Sequence, residues 1–442
     1  MRLTQKLRKT AYWSLDFLKG APVRKHYRQV SKALQYPTNN NTIVQQNQTI
    51  KQLLQYTSNN IPYYQKLVHS TKLEDFPVVD KNDIRKQQEL FLSPLYKKDQ
   101  LHKLTTSGST GTPFTIYQDA NKKNRNAADV FFFAEQAGFE IGNTLYYMRH
   151  WTFNVAKNKF LAFLQNVVPI ETSYLKDKAI EDLLTQLKKD TSTKGFIGYA
   201  SYYNTLVNYM QRAKKSPTNY NIKSIIAISE SLPKETKELM EYFFNCSVVS
   251  RYSNMENGII AQQLPNKGDD FYINTASYIV EVLDFTTNLP VKDGKPGKIV
   301  VTDLFNYAMP MIRYDTGDVG VLDKDRTVGN IKLTRVDGRK MDVIMNTKGE
   351  ILSSFVSMHV IKYPGILQTQ MIQEGKKEYK FKLCITKDFN SEEAIKKEYL
   401  DTLGKDASIT FEYVDEIPLL HSGKRKMMVN NYLTNLDPSN KK

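Results

Sequence analysis

Between Thr105 and Gly111 the chain places five hydroxyl side chains, Thr105, Thr106, Ser107, Ser109 and Thr110, with two glycines, Gly108 and Gly111, just ahead of Thr112 and Pro113. Hydroxyl donors and unhindered backbone N–H groups in one tight loop can wrap a triphosphate, whose oxygens only accept hydrogen bonds. The loop is not of the Walker A type. It lacks that motif's lysine, and its flanks (residues 101–105 and 114–117) read as two strands, not as a strand and a helix. The same composition also suits a Ser/Gly-rich hairpin that binds nothing. A second candidate is Tyr314-Asp315-Thr316-Gly317-Asp318. A carboxylate at a glycine turn ending a β segment can hold a ribose diol, although Asp-rich turns also serve as plain chain reversals. The third is Tyr252 and Glu256, with Asn254 and Asn257 close by. After a buried strand, an aromatic face can stack a base while a carboxylate holds Mg²⁺. A packed tyrosine and a helix-capping acid would look alike here.

The elements that must position these groups follow from periodicity. Residues 37–42 (PTNNNT) break a first helical region, and residues 43–56 resume it with Ile50, Leu53 and Leu54 on one face. Residues 76–85 read as a short extended segment, then a helix opened by an Asp80 cap. From 125 to 300 helices alternate with strands: helices at 180–188, 203–213 and 235–244, strands at 222–228 and 248–252. The apolar run 222–228 is typical of a buried parallel strand. This rhythm predicts an α/β fold, a mixed sheet covered by helices. Residues 271–321 add a β-rich part, with strands at 278–283 and 298–302. Past a boundary near 337–339 comes a small α+β unit, with strands at 379–386 and 409–414 around a helix at 391–403. The expected organisation is an N-terminal extension (1–42), a large domain (43–338) and a small mobile lid (339–442).

At 442 residues, 40% of them hydrophobic, the chain can bury a sizeable core. The two cysteines, Cys246 and Cys384, lie far apart without a histidine neighbour and read as buried small hydrophobes. A disulfide framework is excluded and a cytoplasmic setting expected. Lys and Arg number 62 against 46 Asp and Glu, a formal net charge of +16. Nucleic acid, an anionic membrane and a polyphosphate substrate all suit such a balance. No zinc-finger spacing, RNA-binding aromatic signature or basic zipper occurs, so nucleic acid is the weakest of the three. Residues 1–30 carry eight Lys or Arg and one acid, Asp16, with Leu3, Leu7, Ala11, Leu15 and Leu18 at helical spacing. Such a helix can lie on an anionic inner-membrane surface or pack on the protein body.

Taken in order, TTSGSTGTP, SRYSNMENG, IRYDTGD, GRKMD and HSGK resemble the motifs of the adenylate-forming superfamily of acyl-CoA synthetases. FPVVDKNDIR, GYASYYNTL, ISESL and AMPMIRYDTGD look like the phenylacetate–CoA ligase branch and its capsular-polysaccharide-biosynthesis (CapK-like) members. The resemblance runs from about residue 43 to 429. It implies ATP-dependent activation of a carboxylic acid as its acyl-adenylate, followed by transfer to CoA or another acceptor such as a sugar or carrier. Thr105 to Gly111 would then be the phosphate loop and Tyr252 the adenine-stacking ring. Glu256 would bind Mg²⁺, Asp318 the ribose, and Arg339 the ribose or phosphate. Lys424 would enter the cleft to neutralise the transition state at the α-phosphate, with Thr106 and Glu256 beside it. The chain departs from the pattern at Phe114, where a loop lysine is common, at Ser253 and Met255, and at Met341, which leaves Asp342 alone in the hinge motif. His150 and Trp151 are expected as core or wall residues near the acyl pocket.

Two other classes compete with an acid–thiol ligase. One is a nucleotide-binding assembly protein without catalysis, suggested by Met255, Met341 and Phe114. The other is an adenylyltransferase that moves AMP itself to an acceptor.

Overall fold

A computed structural model describes residues 2–67, 70–106, 114–151, 159–172, 176–325, 330–339, 342–352, 359–420 and 425–436. The N-terminal region forms α1 (Leu3–Leu18), α2 (Pro22–Gln35) and α3 (Asn40–Asn60). Pro22 stands in the first turn of α2, where its missing N–H leaves no helical bond unmade. The break before α3 is shorter than the polar run PTNNNT suggests. Asn39 accepts the Asn41 N–H as an N-cap, so Asn40, Asn41 and Thr42 already belong to the helix. α4 (Lys81–Lys86) opens on the expected cap, a reciprocal capping box between Asp80 and Asp83.

The remaining helices named here are α5 (Ala120–Gln136), α6 (Lys159–Leu164), α7 (Asp177–Lys189), α8 (Ala200–Arg212) and α9 (Lys234–Phe244). In chain order the strands are β1 (His102–Thr106), β2 (Phe114–Gln118), β3 (Thr144–Arg149), β4 (Val167–Glu171), β5 (Lys194–Tyr199), β6 (Ile222–Ile228), β7 (Val248–Asn254), β8 (Gly258–Gln262), β9 (Phe271–Ile273), β10 (Tyr278–Leu283), β11 (Pro296–Asp303), β12 (Tyr314–Asp325), β13 (Asn330–Arg339), β14 (Ile366–Gln373), β15 (Glu378–Ile385), β16 (Ser408–Tyr413) and β17 (Met428–Asn430). The α/β class expected from the alternating pattern is the one found. No helix among the described residues is long and apolar enough to cross a membrane.

By packing, the chain divides into two units that do not follow chain order. One holds residues 3–142 and 251–335, the other residues 1–2, 143–250 and 336–442. In the first, β1 and β2 form a separate antiparallel hairpin. The strands β10-β11-β12-β13-β9-β8-β7 lie side by side, the pairs β10–β11, β11–β12, β13–β9, β8–β9 and β7–β8 being antiparallel. The core of this unit joins Leu53, Tyr64, Phe76, Val79, Phe91, Phe114 and Tyr314, so α3, the FPVVDK segment, the hairpin and β12 share one apolar centre.

In the second unit β6-β5-β3-β4 are all parallel, as the continuous apolar run of β6 predicts. A separate sheet, β16-β15-β14-β17, is backed by the helix Glu392–Leu403 and has its own core of Met371, Phe381, Leu383, Ile395 and Tyr399. Cys384 lies in β15. Cys246, expected to be buried, is instead only half-buried, in the turn between α9 and β7.

Candidate active site

The hydroxyl-rich loop springs from the β1–β2 hairpin. Thr105 faces Thr115 and Thr106 faces Phe114, and the Thr105 and Thr115 hydroxyl oxygens lie 3.2 Å apart. Ser107, Gly108, Ser109, Thr110 and Gly111 lie outside the described residues, as does the side chain of Thr106. What the hairpin shows is where the loop begins and ends. Phe114, the residue standing where a loop lysine is common, is fully buried in the unit's core.

A cation does stand at this point, supplied by another segment. The Lys81 ammonium lies 4.9 Å from the centre of the Phe114 ring and 3.8 Å from Glu256 Oε1. Lys81 opens α4, which the Asp80 capping box holds in place. Periodicity identified that helix but carried no sign that its first lysine would reach the candidate metal carboxylate.

Glu256 is buried in the turn between β7 and β8. Gln118, the last residue of β2, donates its amide to the Glu256 backbone carbonyl at 3.2 Å. The Tyr314 hydroxyl makes a long 3.5 Å contact with Glu256 Oε1. Glu256 therefore does not serve as the cap of its own turn. That role falls to Asn254, whose side chain accepts the Asn257 N–H at 2.8 Å. The Asn257 side chain is fully buried, and neither its oxygen nor its nitrogen has a hydrogen-bond partner among the described residues.

The third group is tied to the second. Tyr252 donates its hydroxyl to Asp318 Oδ2 at 2.9 Å, and Thr316 Oγ1 lies 3.2 Å from the same hydroxyl. Asp318, expected at a turn, instead sits inside β12, at a bulge where the pairing with β11 shifts register between Lys298 and Val300. Asp315 accepts the Gly317 N–H at 2.8 Å, and Gly317 takes φ +75°, a backbone that an L side chain rarely adopts. The Asp318 N–H in turn approaches Thr316 Oγ1 at 3.2 Å. Upstream, Arg313 holds both oxygens of Glu281 at 3.1 and 3.0 Å and donates to the Phe76 carbonyl at 3.1 Å. Val79 completes the join: its N–H donates to Arg313 O at 3.1 Å, and its carbonyl accepts the Asp315 N–H at 2.8 Å.

Within one unit, then, contacts run unbroken from Phe114 through Lys81, Glu256 and Tyr314 along β12 to Asp318 and Tyr252. Four distant segments meet. A buried carboxylate beside the stem of the hydroxyl-rich loop, and a second carboxylate held by a phenol, suit a nucleotide bound with its metal. Among the described residues no group of three or more His, Cys, Asp or Glu gathers to hold a metal ion. A lone Glu256 fits Mg²⁺ all the same, because that ion is commonly held by one or two carboxylates together with substrate phosphates.

The other unit carries the remaining candidates. Arg339 ends β13 and is exposed. Lys424 lies outside the described residues, but Arg425 and Lys426 after it do not. The Arg425 N–H donates to Glu230 Oε1 at 3.2 Å, while Glu230 Oε2 accepts the Ser201 N–H at 2.8 Å. Glu230 and Ser201 belong to ISESL and GYASYYNTL and follow the carboxyl ends of β6 and β5, the edge where open α/β sheets bind ligands. Lys426 pairs with Asp342, the remaining hinge-motif acid, at 2.6 Å. His150 and Trp151 follow the end of β3, where both hold Glu171: Nδ1 of His150 at 3.1 Å and the Trp151 N–H at 2.9 Å.

A family model described as the CapK C-terminal domain matches residues 343–431. Protein CapK of Staphylococcus aureus is 24% identical over 92% of this chain and 93% of its own length. A phenylacetate-coenzyme A ligase of Aromatoleum evansii is 23% identical over 78% of this chain and 80% of its own. Among solved structures, a 2-hydroxyisobutyryl-CoA ligase in the postadenylation state, bound to an acyl-AMP, superposes with a TM-score of 0.66 at 16% identity, covering 87% of this chain and 88% of that one.

Proposed function

We propose that this chain, similar over most of its length to CapK and to phenylacetate–CoA ligases, is an AMP-forming, acid–CoA ligase-like enzyme of the adenylate-forming superfamily that joins a small carboxylic acid to the α-phosphate of ATP and passes the acyl group to CoA. In the first step a carboxylate oxygen forms a bond to the α-phosphorus, the bond from that phosphorus to the bridging oxygen breaks, and pyrophosphate leaves. In the second, the acceptor sulfur bonds the acyl carbon and AMP departs. A sugar hydroxyl in surface-polysaccharide synthesis is the alternative acceptor suggested by the resemblance to CapK.

The observation that carries this reading is the hydrogen bond from Tyr252 to Asp318 within the contact chain that reaches Glu256 and the hairpin. Asp318 would take the ribose diol, and the Tyr252 ring would lie against adenine. Thr105 to Gly111 would wrap the phosphates, with Glu256 directing Mg²⁺ onto them. The metal supplies charge neutralisation at the phosphates when bound. Attack of one anion on another needs a further cation, the role given to Lys424, with Arg339 at the ribose or phosphate. Anchorage of Arg425 on Glu230 supports that placing of Lys424, since it ties the adjoining residue to the ligand-binding edge of the parallel strands.

The test is carboxylate-dependent ATP–pyrophosphate exchange across a panel of acids, with and without Lys424→Ala. Exchange that needs an acid and disappears in the variant supports the proposal. Full exchange in the variant removes Lys424 from the chemistry, and no exchange with any acid removes acyl activation.

A further inference from the structure

α1 turns a stripe of leucines outward while two of its polar residues are buried, whereas an ordinary surface helix turns its apolar stripe inward. Leu3, Leu7, Leu15 and Leu18 are 74%, 60%, 58% and 79% exposed. At 100° per residue they fall, with Ala11, inside an arc of about 120°. The side turned to the protein buries Gln5 and Asp16 instead. Tyr12 and Trp13 pack edge-on against Phe131, and Arg24 stacks over Trp13 at 4.8 Å. Lys9 pairs with Glu140 at 2.7 Å. These contacts fix the roll of the helix, so the leucine stripe faces outward by construction and not by chance of a loose end.

Charge identifies what covers it. The single acid of residues 1–30, Asp16, is consumed inside the fold, where its two oxygens accept the Val23 and Arg24 N–H groups at 3.0 Å each and cap α2. What the region shows to the outside is cationic: Lys6 and Lys19 flank the stripe, and α2 exposes Lys25, Arg28 and Lys32. An apolar stripe bordered by lysines matches a bilayer of anionic lipid, acyl chains meeting leucine and headgroups meeting ammonium. A second protein surface would have to supply apolar area ringed by acids, and a second copy of this stripe would bring lysine against lysine.

We propose that α1 lies in the plane of an anionic membrane surface through Leu3, Leu7, Leu15 and Leu18, docking the enzyme peripherally while its opposite face, with Tyr12, Trp13 and Asp16, stays packed on α2 and α5. The experiment is co-sedimentation of the full-length protein with vesicles of phosphatidylcholine alone and of phosphatidylcholine with phosphatidylglycerol, at low and high salt. Wild type is expected to bind only the anionic vesicles, less at high salt. The double variant Leu7→Glu, Leu18→Glu is expected to lose about tenfold or more of the bound fraction, with melting temperature and pyrophosphate exchange unchanged. The double variant Lys6→Glu, Lys19→Glu is expected to lose binding with its leucines intact. Failure of wild type to bind, unaltered binding by the leucine variant, or a wild-type dimer that this variant converts to monomer each overturns the proposal.

Discussion

The Tyr252 hydroxyl and Asp318 Oδ2 are joined across 2.9 Å, linking β7 to the glycine bulge of β12. Both residues are largely buried. The pair holds the carboxylate in one orientation.

Tyr252→Phe keeps the ring and removes that bond. A hydrogen bond to a charged group contributes about 1.5–3 kcal/mol, so ATP should bind roughly tenfold more weakly or worse. KM for ATP is expected to rise well ahead of any fall in kcat, measured by pyrophosphate exchange. Unchanged KM would show that Asp318 needs no help from the phenol.

Lys81→Ala tests the cation beside Glu256. The ammonium both pairs with the carboxylate and adds positive charge near the loop stem. Loss of an electrostatic group aimed at developing charge reduces kcat by about a hundredfold to a thousandfold, and Lys81→Arg should recover part of it. Equal rates for wild type and Lys81→Ala would assign the lysine to packing on Phe114 alone.

Gly142→Ala strikes at the seat of α1. An added Cβ would lie 2.2 Å from the Gln5 carbonyl oxygen, and the backbone already has φ +96°. Strain of this sort costs about 1–3 kcal/mol, so the melting temperature should drop by several degrees. A variant as stable as wild type would mean that α1 shifts freely.

The cysteines should resist alkylation. Burial pushes the Cys246 thiol up to about 11, and burial also raises that of Cys384. Because the thiolate is the reacting form, labelling by iodoacetamide at mildly alkaline pH should be slow, speed up as pH rises, and become rapid for both after unfolding. Fast modification of the folded protein would contradict this.

Much of this architecture is legible from local pattern. The span of β10, the apolar run of β6, the Asp80 cap and the helix before β16 follow from periodicity and capping chemistry, which act over a few residues. The candidate carboxylates Glu256 and Asp318 are likewise visible as residue types, one beside a turn and the other beside a glycine. Lys81 is not, because its value comes from Val79 pairing with a strand far downstream, and no local rule encodes that partner. The N-terminal stripe shows the complementary failure. Its spacing reveals a helix with an apolar side, but only the burial of Gln5 and Asp16 shows which side faces in.

The two bonds that Val79 makes to Arg313 and Asp315 carry a consequence for biogenesis. As the polypeptide emerges from the ribosome, the segment around Val79 has no mate until the residues after Ala308 follow it. Its apolar neighbours Phe76 and Phe91 must wait as well, since the core they enter also contains Met311 and Tyr314. Long-range pairing of this kind slows folding and leaves sticky surface uncovered in the interval. Nascent chains halted before Tyr314 should therefore be the ones that chaperones hold longest.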